Sequence, residues 1–167
     1  MTRRGDYVIR AALALARAWD SGEMRKIREV AAEMALPLGY TPHILNLLVK
    51  AGLAESRAGQ RGGYRLVRAP SEISLLELVE AAEGPLWPER CTLLGGPCHW
   101  EEVCALHPAW EHAHKALSAA LSEQMLASVL EWDIRLKRGE VIERDAQHSE
   151  PRVTGLAARP RRGTREP

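Results

Sequence analysis

Three features of the sequence predict a mainly α-helical chain carrying one small β-hairpin. Leu and Ala are abundant and Phe is absent among the 167 residues, a composition that favours helix over sheet. Apolar residues recur at helical spacing in several blocks up to Gly84 and again from Pro108 to about Arg138, the signature of amphipathic helices. A single glycine-rich turn, AGQRGG at residues 58–63, separates two short strand-like runs, as in a hairpin. The hydrophobic fraction of 46% can supply a core. No apolar run approaches the roughly 18 residues of a membrane span, so no membrane partner is expected.

Residues 4–19 place Val8, Ile9, Ala12, Leu13, Leu15, Ala16 and Trp19 on one broad face and predict the first helix. Its basic start raises the question of a secretion signal. Asp6, Arg10 and Arg17 interrupt the apolar stretch and no small-residue cleavage site follows, so it belongs to the folded protein and a cytoplasmic location is expected. DSGE at 20–23 is a turn and MRKI at 24–27 a brief strand. A second helix runs from about Ile27 to Met34 and is broken by ALPLGY at 35–40. The third helix buries Ile44, Leu45, Leu47 and Leu48 and stops at Gly52. Pro42 lacks a backbone donor and belongs in a first helical turn, which sets the start of that helix near Gly39 or Tyr40. LAESR (53–57) and YRLV (64–67) form the hairpin, and ISLLELVEAAEG (73–84) a helix capped by Ser71 or Ser74 and ended by Gly84 and Pro85. From Pro108 a stripe of Trp110, Ala113, Leu117, Leu121, Met125, Val129, Trp132 and Leu136 predicts one long helix to about Arg138. The tail from Gly139 is rich in Arg, Pro and Gly without periodicity, the pattern of a disordered basic segment.

Helix, turn, helix and hairpin in this order make a winged helix–turn–helix. A helix fills the major groove of B-DNA, while a hairpin tip reaches the flanking backbone or minor groove. Charge supports a polyanionic partner for this part alone. Residues 1–70 carry 12 Lys and Arg against 6 Asp and Glu, residues 71–150 carry 6 against 15, and residues 151–167 carry 5 against 1. The partner expected is double-stranded DNA. Thr41, His43, Asn46 and Lys50 are the main outward polar groups of the third helix, with Thr41 and His43 the better base readers. Arg57, Arg61 and Arg65 surround the glycine turn and suit phosphate. The alternative is a small helical core with a surface hairpin and no ligand.

All three cysteines lie in residues 91–107, CTLLGGPCHWEEVCALH, spaced C-x6-C-x5-C. In a reducing compartment such clustering indicates metal or redox chemistry rather than structural disulfides. The gaps are wide for a structural zinc site. They suit a loop wrapped around an iron–sulfur cluster, whose irons take separate thiolates. Zinc, thiol-redox switching and incidental loop cysteines are the other readings. A fourth ligand is open, with His107 nearest and His99 a competitor. The long stripe is too extensive to hide on a winged domain of about 80 residues, so a homodimer through the C-terminal helix is expected. The division is then a winged domain at 1–84, a cysteine loop at 85–107, a dimerisation helix at 108–138 and a basic tail at 139–167.

TRRGDYVIRAALALA, IREVAAEMALPLGYTPHILNLLVKAGLAESRAGQRGGYRL and ISLLELVEAAEG, followed by three spaced cysteines and a long helix, together resemble the IscR/NsrR family of bacterial winged helix–turn–helix transcription regulators. The resemblance covers about residues 2–137, and AGLAESRAGQRGGYRL is its most specific part. It implies a cytoplasmic homodimeric repressor that senses redox state, nitric oxide or iron–sulfur status. Cys91, Cys98 and Cys104 match the cluster cysteines. His107 matches the histidine ligand of the IscR type, which holds a 2Fe–2S cluster. Asp6 matches the carboxylate that the partner's first helix supplies in the NsrR type, which holds a 4Fe–4S cluster. Two departures stand out. The first cysteine gap is six residues where five or fewer is usual, and Pro42 replaces a polar residue near the base-reading end, which implies a different operator. A metal-free thiol-redox or ligand-responsive regulator of the same fold is the alternative. A thiol or electron-transfer protein is disfavoured, since no fourth cysteine, phosphate loop or paired carboxylates support it and no enzyme activity is expected.

Overall fold

The computed structural model describes residues 2–86 and 104–139. The elements are α1 (Arg3–Ala16), α2 (Ile27–Glu33), α3 (Thr41–Lys50), β1 (Ala54–Arg57), β2 (Gly63–Leu66), a 3-10 turn at Pro70–Glu72, α4 (Leu75–Glu83), α5 (His107–Glu123) and α6 (Leu126–Lys137). The chain is mainly α with a two-stranded antiparallel wing, as its composition and single glycine turn predict.

Helix α1 is the hub of the core. Thr2 caps it by accepting hydrogen bonds from the Arg4 and Gly5 amides. Its small residues Ala11, Ala12 and Ala14 are fully buried beside Val8 and Leu15, which lets α3, α4 and α6 all approach its backbone. Ile44, Leu45 and Leu48 of α3, Leu78 of α4 and Leu126 of α6 close the core around it. The helix ends three residues before the sequence pattern does. Trp19, expected on the inward face, falls in the following turn and is exposed.

Helix α4 begins with a reciprocal cap. The Ser74 hydroxyl accepts from the Glu77 amide (3.3 Å) and the Glu77 carboxylate accepts from the Ser74 amide (2.9 Å), satisfying two donors that a helix start otherwise leaves orphaned. Arg68 adds a 2.5 Å ion pair to Glu77. Burial pushes the Glu77 carboxyl up, but the hydrogen bonds from Arg68 and Ser74 outweigh it and hold the group below its ordinary value of 4.5. A depressed carboxyl stabilises fully above the unfolded value and ceases to do so as pH falls through the folded one. Urea unfolding should therefore show the Glu77→Gln variant, which keeps the reciprocal cap but loses the charge, about 0.5 kcal/mol less stable than wild type at pH 7. That gap should shrink steadily below pH 4.5. A gap independent of pH would assign the cost to packing instead.

The C-terminal stripe is not one helix. At Gln124 and Met125 the backbone turns extended and pairs with the segment before α4. The Leu75 amide donates to Gln124 O and the Leu126 amide to Ile73 O, both at 2.8 Å. These bonds replace helical ones lost at the break, and they let Leu126 enter the core with no exposed surface. Helix α6 then lies on α1, with Val129 and Leu130 packed against the core. Trp110 and Leu117 on α5 and Trp132 and Leu136 on α6 keep 42, 48, 43 and 61% of their surface exposed. The winged domain thus covers only part of the stripe.

An ion network ties these layers together. Arg17 at the end of α1 donates to Glu33 of α2 through Nη1 and to Asp133 of α6 through Nη2. Glu33 also accepts from Arg25 Nη2 at 2.6 Å. Burial disfavours the Arg17 charge, but the two carboxylates overcome this and raise its pKa.

Candidate nucleic-acid interface

The turn between α2 and α3 sets the pose of the outward helix. Ala35 takes a left-handed conformation with φ 51°, sparsely populated by residues with a side chain. The Leu36 amide returns to Ala31 O at 2.9 Å. Helix α3 starts at Thr41 with Pro42 in its first turn, within one or two residues of the start that proline chemistry predicts.

The sequence reading places Thr41, His43, Asn46 and Lys50 on the reading face. The structure removes Thr41 from it. Its side chain is fully buried, which withdraws it from a base, and its Oγ1 donates to Pro37 O at 2.9 Å within the turn. His43, Asn46 and Lys50 are exposed, and their spacing of three and four sets them along one helix face. Tyr40 joins them: it is 38% exposed, with its ring 5.1 Å from His43 and 6.2 Å from Tyr7. Leu38 is 51% exposed in the same turn. Neither residue stands out in the sequence, because an aromatic and a leucine beside helix starts read as core. The signal available was their position in a Gly- and Pro-containing turn, where the helical burial pattern does not apply.

In the wing, Ala54, Glu55, Ser56 and Arg57 pair with Leu66, Arg65, Tyr64 and Gly63. The glycines are sterically required. A Cβ on Gly62 would lie 2.0 Å from Arg57 O, and one on Gly63 2.6 Å from Arg25 O. Arg25 exchanges two backbone hydrogen bonds with Tyr64, at 2.8 and 2.9 Å. The strand expected at residues 24–27 is therefore a single bridge. The three wing arginines differ. Arg65 faces Glu55 across the strands at 2.5 Å, beside a cleft of about 330 Å³ lined by Leu15, Trp19 and Val67. Its charge is matched within the protein. Arg57 and Arg61 are exposed and make no ion pair among the described residues.

Of the cysteine loop, Cys91, Cys98 and the competitor His99 lie outside the described residues. Cys104 is half-buried, and His107 opens α5 one turn later, its amide donating to Cys104 O at 3.2 Å. Asp6 lies in the first turn of α1 and its Oδ1 accepts from Arg10 Nε at 2.9 Å. Among the described residues no three metal-binding side chains converge. The tail beyond Gly139 also lies outside them, and no described helix is long and apolar enough to cross a membrane.

A helix–turn–helix with an outward polar face, flanked by an arginine-bearing wing, defines a winged helix–turn–helix DNA-binding protein. Residues 1–131 match Rrf2, a family described as iron-dependent transcriptional regulators, and the chain belongs to that family. A Mycobacterium tuberculosis protein assigned to the HTH-type transcriptional regulators is 32% identical over 77% of this chain and 80% of its own length. The HTH-type transcriptional regulator IscR of Salmonella newport is 26% identical over 94% of this chain and 93% of its own. Among solved structures, IscR of T. potens superposes with a TM-score of 0.64 at 23% identity, covering 86% of this chain and 92% of that one. CymR, the global cysteine regulator of B. subtilis, gives 0.65 at 21% identity, covering 79% and 96%. The last two establish the shared fold.

Proposed function

We propose that the protein is a homodimeric, sequence-specific repressor whose DNA affinity is set by an iron–sulfur cluster held by Cys91, Cys98, Cys104 and His107. The DNA half of this reading rests on one observation: His43, Asn46 and Lys50 line one face of α3, and the wing beside it carries two arginines without an anionic partner among the described residues. Arg57 and Arg61 would meet phosphate, and the α3 face base edges.

The cluster half rests on the donor set. Three thiols within fourteen residues supply soft ligands. Cys104 and His107 stand one turn apart, both half-buried, which suits neighbouring ligands partly shielded from water. Asp6, the competing fourth ligand, belongs to a different element and is paired at the surface with Arg10; the nearness of His107 to Cys104 supports histidine and hence the 2Fe–2S type. Bound iron and sulfide would supply a centre that oxidants and nitric oxide can alter. The chain's own part is to transmit that change. Cys104 leads directly into α5, and α5 contacts α4, so a change at the ligands would reach the helices that set the spacing of two winged domains. About 2.7 kcal/mol of differential affinity shifts binding a hundredfold.

The test is anaerobic purification with iron, sulfide and Mössbauer analysis of wild type, Cys104→Ala, His107→Ala and Asp6→Ala. Wild type should be brown with about two irons and two sulfides per subunit. Cys104→Ala should lose the iron, His107→Ala should change the spectrum, and Asp6→Ala should leave both intact. A colourless wild type that binds DNA as well as a triple Cys→Ala variant would leave a metal-free regulator, thiol-redox or ligand-responsive, as the answer.

A further inference from the structure

Lys26 occupies the residue immediately before α2, a position where Ser, Thr, Asp or Asn usually supplies a side-chain cap. A lysine has no acceptor and cannot cap. The Glu29 carboxylate instead accepts the Lys26 amide at 2.8 Å. The lysine side chain goes elsewhere. Its Nζ reaches the tip of the wing, donating to Gln60 O at 2.6 Å and Gly59 O at 3.4 Å. These contacts bridge 34 and 33 positions of sequence. The preceding residue, Arg25, is bound to Tyr64 of β2 by its two backbone hydrogen bonds.

Residues 25 and 26 therefore fasten the wing at two points, one on a strand and one at the turn. The turn needs such a fastening. It carries Gly59, Gly62 and Gly63, and glycines lose more conformational freedom on ordering than any other residue. Its internal hydrogen bond is a single one, from the Gly62 amide to Gly59 O at 3.0 Å. Arg57 immediately precedes this turn and Arg61 lies within it, so its conformation sets where their guanidinium groups begin.

We infer that Lys26 is a positioning residue for DNA binding: its ammonium clamps the wing tip to the start of α2 and so holds Arg57 and Arg61 for phosphate. This rests on the DNA-binding reading above. It differs from the ordinary role of a lysine near DNA, because two of the three ammonium donors are committed to carbonyls within the protein.

Two measurements on the full-length protein test it. In the absence of DNA, hydrogen exchange at the Gly62 amide should accelerate about tenfold in Lys26→Met, while Lys26→Arg, which can still donate to both carbonyls, should stay within about threefold of wild type. On a labelled random-sequence duplex of about 30 base pairs, Lys26→Met should weaken binding about fivefold, but less than about 1.5-fold when Arg57→Ala and Arg61→Ala are already present. Unchanged exchange in Lys26→Met overturns the clamp. An equal fivefold loss in both backgrounds shows an independent phosphate contact and also overturns it. A wild type without salt-dependent duplex binding overturns the DNA reading itself, a failure distinct from unaltered exchange at Gly62.

Discussion

Replacing Leu117 and Trp132 together by Glu is expected to make the protein monomeric in solution and to weaken its binding to a two-half-site operator more than a hundredfold. In the homodimer proposed above, the large apolar side chains exposed on α5 and α6 would form the association surface. Covering Trp110, Leu117, Trp132 and Leu136 on each of two subunits gains roughly 10 kcal/mol before the entropy of association is deducted. Two buried carboxylates per subunit would reverse that balance. The DNA effect follows from valency. Once one winged domain has docked, the second binds at a high effective concentration only while the subunits are joined. Light scattering and fluorescence anisotropy on the same sample read both effects. A double variant that remains dimeric would show that the subunits meet elsewhere.

Replacing Leu126 by Ala is expected to cost about 3 kcal/mol of folding stability. The residue is fully buried, and it enters the core only because the backbone leaves the helix at Gln124 and Met125 to pair with Ile73 and Leu75. The substitution removes the side chain that this detour serves. It should therefore loosen α6 from α1 as well as leave a cavity, and hydrogen exchange should accelerate at the Leu126 amide ahead of global unfolding. Urea midpoints unchanged within error would mean that the hydrogen bonds alone hold the junction.

The contrast between this junction and the rest of the fold shows what the sequence discloses. Pro42, Gly84 and Ser74, the last being one of two caps the sequence offers, mark helix ends through backbone chemistry that operates locally, and the helices end within a residue or two of where those residues predict. The wing is legible for the same reason, since Gly62 and Gly63 have no sterically possible replacement. The break at Gln124 has no such marker. The apolar stripe keeps its fourfold spacing straight through it, and the segment it bridges to, at Ile73–Leu75, lies about fifty positions away. Thr41 fails similarly. A threonine at a helix start looks like a base reader, and only the position of Pro37 O decides that its hydroxyl is already engaged. Tyr40 is the converse case, an aromatic that periodicity would send inward but that the turn leaves beside His43.

The guanidinium of Arg17 holds one carboxylate from α2 and another from α6, and the α2 carboxylate is shared with Arg25, whose backbone is bonded to the wing. A guanidinium fork can hold two carboxylates at once, and so couples the two helices that carry them. A displacement of α6 against α1 would therefore be felt at α2 and, through Arg25, at the hairpin: one guanidinium yokes the C-terminal helix to the wing.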